Sequence, residues 1–317
     1  MPLFSKAPLP GFRLVGATIS LLVFTAGCGA DVGSPDSSPA ASSFAPVEVT
    51  VPISASTVEV TSHGEEPHEV IRPRLPDGVS QQVTLTTEAQ VFQQIDDQPT
   101  QDFSSPPITL PLDAVVNQRP EDTDGETTVD LTFGDVTSPN ERLGLALEAS
   151  KGAGAGFTIG PTGAITELQL RPNAAAQDIA RSAVEQAFYQ AAYRTISFPT
   201  EAIGVGAQWT IHQRVIGGIA LDQTTVATLT ARDGNLVTVD YTIDQKPDSP
   251  IWNLPNGAGT LNVDRYVMRG SGTVTVDLDL PLPVSGIVTV NGDQQYSDPD
   301  GPTRLRQTTS NQVEWTS

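Results

Sequence analysis

The chain has 317 residues, enough for one large domain or two small ones, and its 38% hydrophobic and 17% charged content is too apolar for a disordered chain and too polar for a multi-span membrane protein. Acids outnumber bases 37 to 17, and a net charge of −20 repels phosphate backbones, so nucleic acid is set aside as a partner. A single Cys excludes an intramolecular disulfide and a cysteine-built zinc cluster, while 27 Gly and 26 Pro favour short elements and turns over a fold of long helices.

The first 27 residues read as a secretion signal. Lys6 and Arg13 form a positive start, and Leu14 to Ala26 is an uncharged stretch too short to span a bilayer. It ends in Phe24-Thr25-Ala26-Gly27-Cys28. Small residues before the Cys fit a peptidase groove, and the thiol is the nucleophile that diacylglyceryl transfer needs. This stretch resembles the bacterial lipobox, with Thr25 where that motif prefers Leu. The resemblance implies cleavage before Cys28, which then carries diacylglycerol and an amide-linked acyl chain such as palmitate. Two or more acyl chains, at about 0.8 kcal/mol per buried methylene, give a stable anchor. Loss of Lys6 and Arg13 with the leader leaves 15 bases against 37 acids, a net charge of −22. The acyl chains rather than charge would therefore hold the protein at the cell membrane, on its extracytoplasmic face.

Asp31 to Pro46 is rich in Ser, Pro and Ala and reads as a flexible tether. Val47 to Val60 is β-like but interrupted by Pro52, and is either more tether or a first edge strand. The expected organisation is a signal at 1–27, a lipid-bearing tether at 28–60, and an antiparallel β domain at 61–317 with two similar halves, 61–170 and 200–317. The halves are suggested by a shared strand-and-turn pattern in 78–135 and 206–243, not by shared residues.

Beyond residue 66 period-two alternation dominates. Val83, Leu85, Thr87, Ala89 and Val91 share one face, as do Val129, Leu131 and Phe133, and then Val237, Val239, Tyr241 and Ile243. Val274, Val276, Leu278 and Leu280 alternate with polar residues, and a strand is expected at 209–215. Turns are predicted at Glu121–Glu126, Pro161-Thr162-Gly163, Asp233-Gly234-Asn235 and Asn291-Gly292-Asp293. One main helix is predicted at about 173–193, opened by Pro172-Asn173 as stop and cap. Its apolar stripe is Ile179, Ala183, Val184, Ala187, Phe188 and Ala191. A shorter helix is expected at 141–151. The predicted class is mainly β (α+β), a curved antiparallel sheet or half-open barrel with one packed helix.

Two stretches carry a further resemblance. Ser197 to Thr210 (SFPTEAIGVGAQWT) and Leu145 to Leu168 (LALEASKGAGAGFTIGPTGAITEL) are similar to segments of uncharacterised bacterial lipoproteins. The layout also resembles the LolA/LppX-like envelope lipoproteins, which implies a curved sheet around helices with an apolar cavity for a lipid.

No catalytic constellation has the required spacing: there is no Gly-x-Ser-x-Gly, Ser-x-x-Lys, His-Glu-x-x-His or phosphate-cradling loop, so no enzyme is expected. His63 and His68 with Glu65, Glu66 and Glu69 lack metal-ligand spacing and read as a solvated acidic loop. His212 reads as an outward residue of a strand. Asp122, Asp124 and Glu126, and Asp298 and Asp300, match no calcium-loop spacing and read as hairpin turns. No cofactor or metal is expected. Trp209, Trp252 and Trp315 are expected in the core. Ile179, Val184 and Phe188 either fill the core or line a cavity. Two functions follow: a lipoprotein that binds or ferries an apolar or lipid ligand between sheet and helix, or an anchored scaffold that docks an envelope protein without a cavity.

Mass spectrometry of the membrane-extracted protein is expected to show cleavage before Cys28 and the added mass of acyl chains, both abolished by Cys28→Ser. An unmodified Cys28 in the wild type contradicts the anchor.

Overall fold

The computed structural model describes residues 48–118, 125–254 and 257–317. The leader, Cys28, the tether up to residue 47, and Asp122 and Asp124 lie outside the described residues. The fold is a large antiparallel sheet, 56% strand and 10% helix, which does not close into a barrel.

In chain order, β1 (Val49–Pro52) and β2 (Ser56–Ser62) come first, followed by the short β3 (Glu69–Val70). A meander then runs through β4 (Ser80–Ile95), the short β5 (Gln101–Asp102), β6 (Ser105–Gln118), β7 (Thr127–Phe133), β8 (Gly154–Ile159) and β9 (Ile165–Arg171). α1 (Glu141–Leu147) lies between β7 and β8, and α2 (Asp178–Ala192) follows β9. After β10 (Ala202–Ile203) a second meander comprises β11 (Gln208–Val215), β12 (Leu221–Asp233), β13 (Leu236–Pro247), β14 (Ile251–Asn253), β15 (Thr260–Asp277), β16 (Ser285–Ser297) and β17 (Arg304–Thr316). β17 pairs with β4 and joins the two meanders into one path, β1-β9-β8-β7-β6-β4-β17-β16-β15-β13-β12-β11-β2.

The ends of that path set the shape. β1 pairs with β9 at one end and β2 with β11 at the other, yet they are separated by three residues, 53–55. From Pro52 to Ser56 the chain can span at most roughly 14 Å, whereas twelve flat inter-strand steps would extend about 58 Å. The sheet must therefore curl until its edges nearly meet. Ile53 is buried in the seam and its amide donates to Thr166 O at 2.9 Å, while Gln213 Nε2 donates to Ser54 O at 2.8 Å. The segment expected to belong to the tether up to residue 60 is thus a clasp across both edges. Pro52 is tolerated because it ends an edge strand.

Curling also needs small residues where strands approach closely. A Cβ on Gly270 would lie 2.5 Å from Thr289 O. Gly292 faces Met268 across the β15–β16 pair, and a Cβ there would collide with Met268 Sδ and Val267 O. Asn291-Gly292-Asp293 is therefore not the predicted turn; it lies within β16, where the glycine makes room rather than a reversal. The reversal before β16 is 278–284, so Leu278 and Leu280 follow the strand instead of extending it. Gln81 holds that turn with reciprocal 3.0 Å bonds to Leu282 O and N.

The other alternating runs bury the predicted face: Val83 and Leu85, Val129 to Phe133, and Val237 to Ile243 are core residues, as are all three Trp. Trp209 and Trp315 lie in the main core, and Trp252 packs with Tyr296 and Leu305 in a smaller cluster. α1 begins at Asn140, whose Oδ1 accepts from Leu143 N at 3.0 Å. Asn173 is not the cap of α2, which starts five residues later. Its Nδ2 donates instead to Ala149 O and Lys151 O, binding the α2 approach to the end of α1. No helix among the described residues is long and apolar enough to cross a membrane.

Gly270→Ala is expected to cost about 1–3 kcal/mol through overpacking. Gly218→Ala, where a Cβ meets nothing within 4 Å, should stay within about 0.5 kcal/mol. Thermal unfolding by circular dichroism compares them, and equal melting temperatures contradict the close-approach argument.

Candidate functional site

α2 packs inside the curl. Ala180, Val184, Ala187, Phe188, Ala191 and Ala192 are its buried residues, and the Phe188 ring stacks on Phe133 and meets Phe157 edge-on. The small side chains let the helix approach the sheet closely. The predicted stripe is displaced by one residue at its start: Ala180 is fully buried, and Ile179 is 43% exposed. Ile179 is turned about 100° from Ala180 around the helix axis, so the larger β-branched side chain falls outside the narrow contact. Val184 and Phe188 are packed in the main core. Ile179 instead lines a groove.

That groove has a volume of about 540 Å³ and lies between α2 and the β4–β6 region, beside the start of α1. Ile108, Leu143 and Ile179 give it apolar wall, and the charged Arg142 and Asp178 with the amides of Gln186 and Gln190 give it polar wall. The volume falls in the range of roughly 300–1,000 Å³ usual for small-molecule sites. A second, smaller cavity of about 70 Å³ lies between the 194–198 segment and the inner face of β13, β15, β16 and β17.

Strand register shows how the inner face is divided. One row runs Leu229, Val239, Val274, Gly286, Trp315 and Leu85 across β12 to β4, and is apolar throughout. Toward the other end of the same strands lies the row Gln213, Gln223, Gln245, Met268, Gly292 and Thr309. Next to it, Tyr266, Gln294, Gln307 and Gln93 form another. Gln93, Gln223, Gln245 and Gln294 are all buried. The concave face is thus apolar at one end and belted with amides at the other.

Arg194, just past the C-terminus of α2, reaches this belt. Its Nη1 donates to Gln223 Oε1 at 2.8 Å, and the same oxygen accepts from Gln245 Nε2 at 2.8 Å. Burial lowers the guanidinium pKa to about 10, with the nearby Tyr241 and Tyr266 opposing the shift. It stays protonated at neutral pH. Burial in turn pushes the Tyr241 phenol up to about 12. Among the described residues no carboxylate is in ion-pair reach of Arg194, whereas Arg74, Arg171, Arg214 and Arg232 each have one.

The remaining singled-out residues do not converge. His63 Nε2 lies 3.1 Å from Glu201 Oε2, and its ring is 5.9 Å from that of His68. The segment is docked rather than loose: Glu65 N donates to Val205 O, Glu69–Val70 pair with Ala202–Ile203, and Glu69 pairs with Arg232. His212 is exposed on β11. Asp298 Oδ1 accepts from Asp300 N at 2.9 Å, an Asx turn between β16 and β17. No group of three or more His, Cys, Asp or Glu placed to hold a metal occurs among the described residues.

The amide belt and Arg194 were missed from sequence. A signal was present: Gln223 is in phase with Leu221 and Leu229, and Gln245 with Val237 to Ile243, so both had to point inward. Comparison with known proteins adds no assignment, since no family model and no curated protein matches the chain.

Phe188→Ala is expected to cost about 3–5 kcal/mol. Ile179→Ala should cost under about 1 kcal/mol, because Ile179 is partly solvated. Melting temperatures of the two variants check this, and equal losses contradict the helix orientation.

Proposed function

We propose that the protein is an extracytoplasmic lipoprotein, anchored to the membrane through Cys28, which binds an amphiphilic lipid-like ligand in the groove between α2 and β4–β6. The observation that carries this reading is a groove of about 540 Å³ beside α2, with apolar wall at Ile108, Leu143 and Ile179 and polar wall that includes Arg142, Asp178, Gln186 and Gln190. Burial of the ligand's apolar part on Ile108, Leu143 and Ile179 supplies the affinity, at about 25 cal/mol per Å² removed from water. The amides at Gln186 and Gln190 orient its polar part. The lipobox-like Cys28 and the tether place the groove near a bilayer, the source of such a ligand. The reading is one of binding without chemistry.

The exposed large apolar side chains do not favour a docking face as the main function. Phe92 on β4, Leu145 on α1, Val226 on β12 and Ile287 on β16 lie singly on separate elements.

Native mass spectrometry of the protein released from membranes in mild detergent is expected to show a non-covalent adduct besides the covalent acyl mass. Ser182→Trp, an exposed position on the groove wall, should remove the adduct with the circular dichroism spectrum unchanged. Absence of an adduct on the wild type overturns the proposal.

A further inference from the structure

We infer that the head of the groove's ligand is uncharged and carries hydroxyl groups, as a sugar or a glyceride does, and that Gln186 and Gln190 select it. The inference rests on the binding reading above and specifies its ligand.

The charges on the groove stand where the two helices begin. Arg142 is the second residue of α1 and Asp178 the first of α2, both exposed and of opposite sign. Asp178 is paired with Arg181. Ions already held in water gain little from a further partner, so this end does little to select a charged head.

Further along α2 the polar groups are neutral. Ser182, Gln186 and Gln190 line the groove at four-residue steps, and Thr87 of β4 adds another hydroxyl. Residues at that spacing share one side of a helix, each roughly 6 Å beyond the last. They form a row of groups that both donate and accept. Gln190 shows what the row lacks. Its Oε1 is buried without a hydrogen-bond partner, although the residue as a whole is only partly buried. An acceptor cut off from water and left unpaired costs free energy that pairing recovers. Turning the side chain into the groove brings both its oxygen and its NH₂ to a ligand.

A hydroxyl answers both atoms, because it donates once and has two acceptor lone pairs. A carboxylate only accepts and an ammonium only donates. Either ion would also give up its hydration for neutral partners, which a hydroxyl does at much lower cost. Ile179 lies seven residues before Gln186 on the same side of α2, roughly 10 Å along the axis. With the head between Gln186 and Gln190, the tail lies toward Ile179, Leu143 and Ile108.

The test is isothermal titration of the full chain in phosphatidylcholine nanodiscs, empty nanodiscs subtracted, with octyl glucoside, monooctanoylglycerol, octanoate and octylammonium below their micelle concentrations. At least one of the two neutral probes should bind tenfold or more tightly than either ion, and the tighter one identifies the head as sugar or glycerol. Gln190→Leu removes both amide atoms and should lower that preference at least fivefold. Its melting temperature should not fall, since the oxygen is unpaired in the free chain. Should Gln190→Leu fail to fold, Gln186→Leu, at a partly exposed position, should lower the preference severalfold. Equal binding of the four probes, tighter binding of an ion, or an unchanged preference in the folded variant overturns the inference while leaving the groove a ligand site. Binding of none of the four overturns the groove reading itself.

Discussion

Backbone pairing by one short segment sets the form of the molecule. Residues 49–62 complete one end of the strand path against β9 and the other against β11, with three residues between the two pairings. No arrangement of a flat sheet satisfies both, because the connection is several times shorter than the sheet is wide. Curvature is therefore imposed by covalent continuity and permitted by glycines such as Gly270 and Gly292, where the strands have no room for a Cβ. The helix, the core and the groove follow from that constraint. A curled sheet has one concave face, that face is apolar over much of its length, and an alanine-lined helix is narrow enough to fill it.

The filling is incomplete on one side. α2 presses Phe188 onto Phe133 and Phe157, while its opposite flank, from Ile179 to Gln190, faces space bounded by β4, β6 and α1. The inner surface changes character along the strands, from Val239, Val274 and Trp315 to Gln223, Gln245 and Gln294. The amphiphilic cargo proposed for the groove would meet apolar wall at Ile108 and Leu143 and amides at Gln186 and Gln190. Arg194 lies just past the end of α2 and donates to Gln223 of the amide belt.

The strands were legible where one face was apolar and the other polar, as in Val237 to Ile243, because period two then records burial directly. A short helix is expected at 141–151, and α1 with the 3-10 turn that follows it occupies 141–150. Legibility failed where a residue type carried its usual meaning into an unusual place. Asn291-Gly292-Asp293 has the chemistry of a turn but is used for close strand approach. Ile179 looks like a core residue of a helix whose actual contact face requires alanine. Glutamines in strands read as solvent-facing, yet Gln223 and Gln245 point inward and bond to one another. The clasp of residues 49–62 across both edges is a long-range pairing, and no local pattern announces which distant strand an edge segment will join.

Hydrogen exchange of the full-length protein tests the clasp most directly. The amides of 49–53 and 56–62 bonded to β9 and β11 are expected to exchange as slowly as those of their partner strands, so that both edges open together. Fast exchange throughout 48–62, with β9 and β11 still protected, would show that this segment is an extension of the tether and that the curl has another cause.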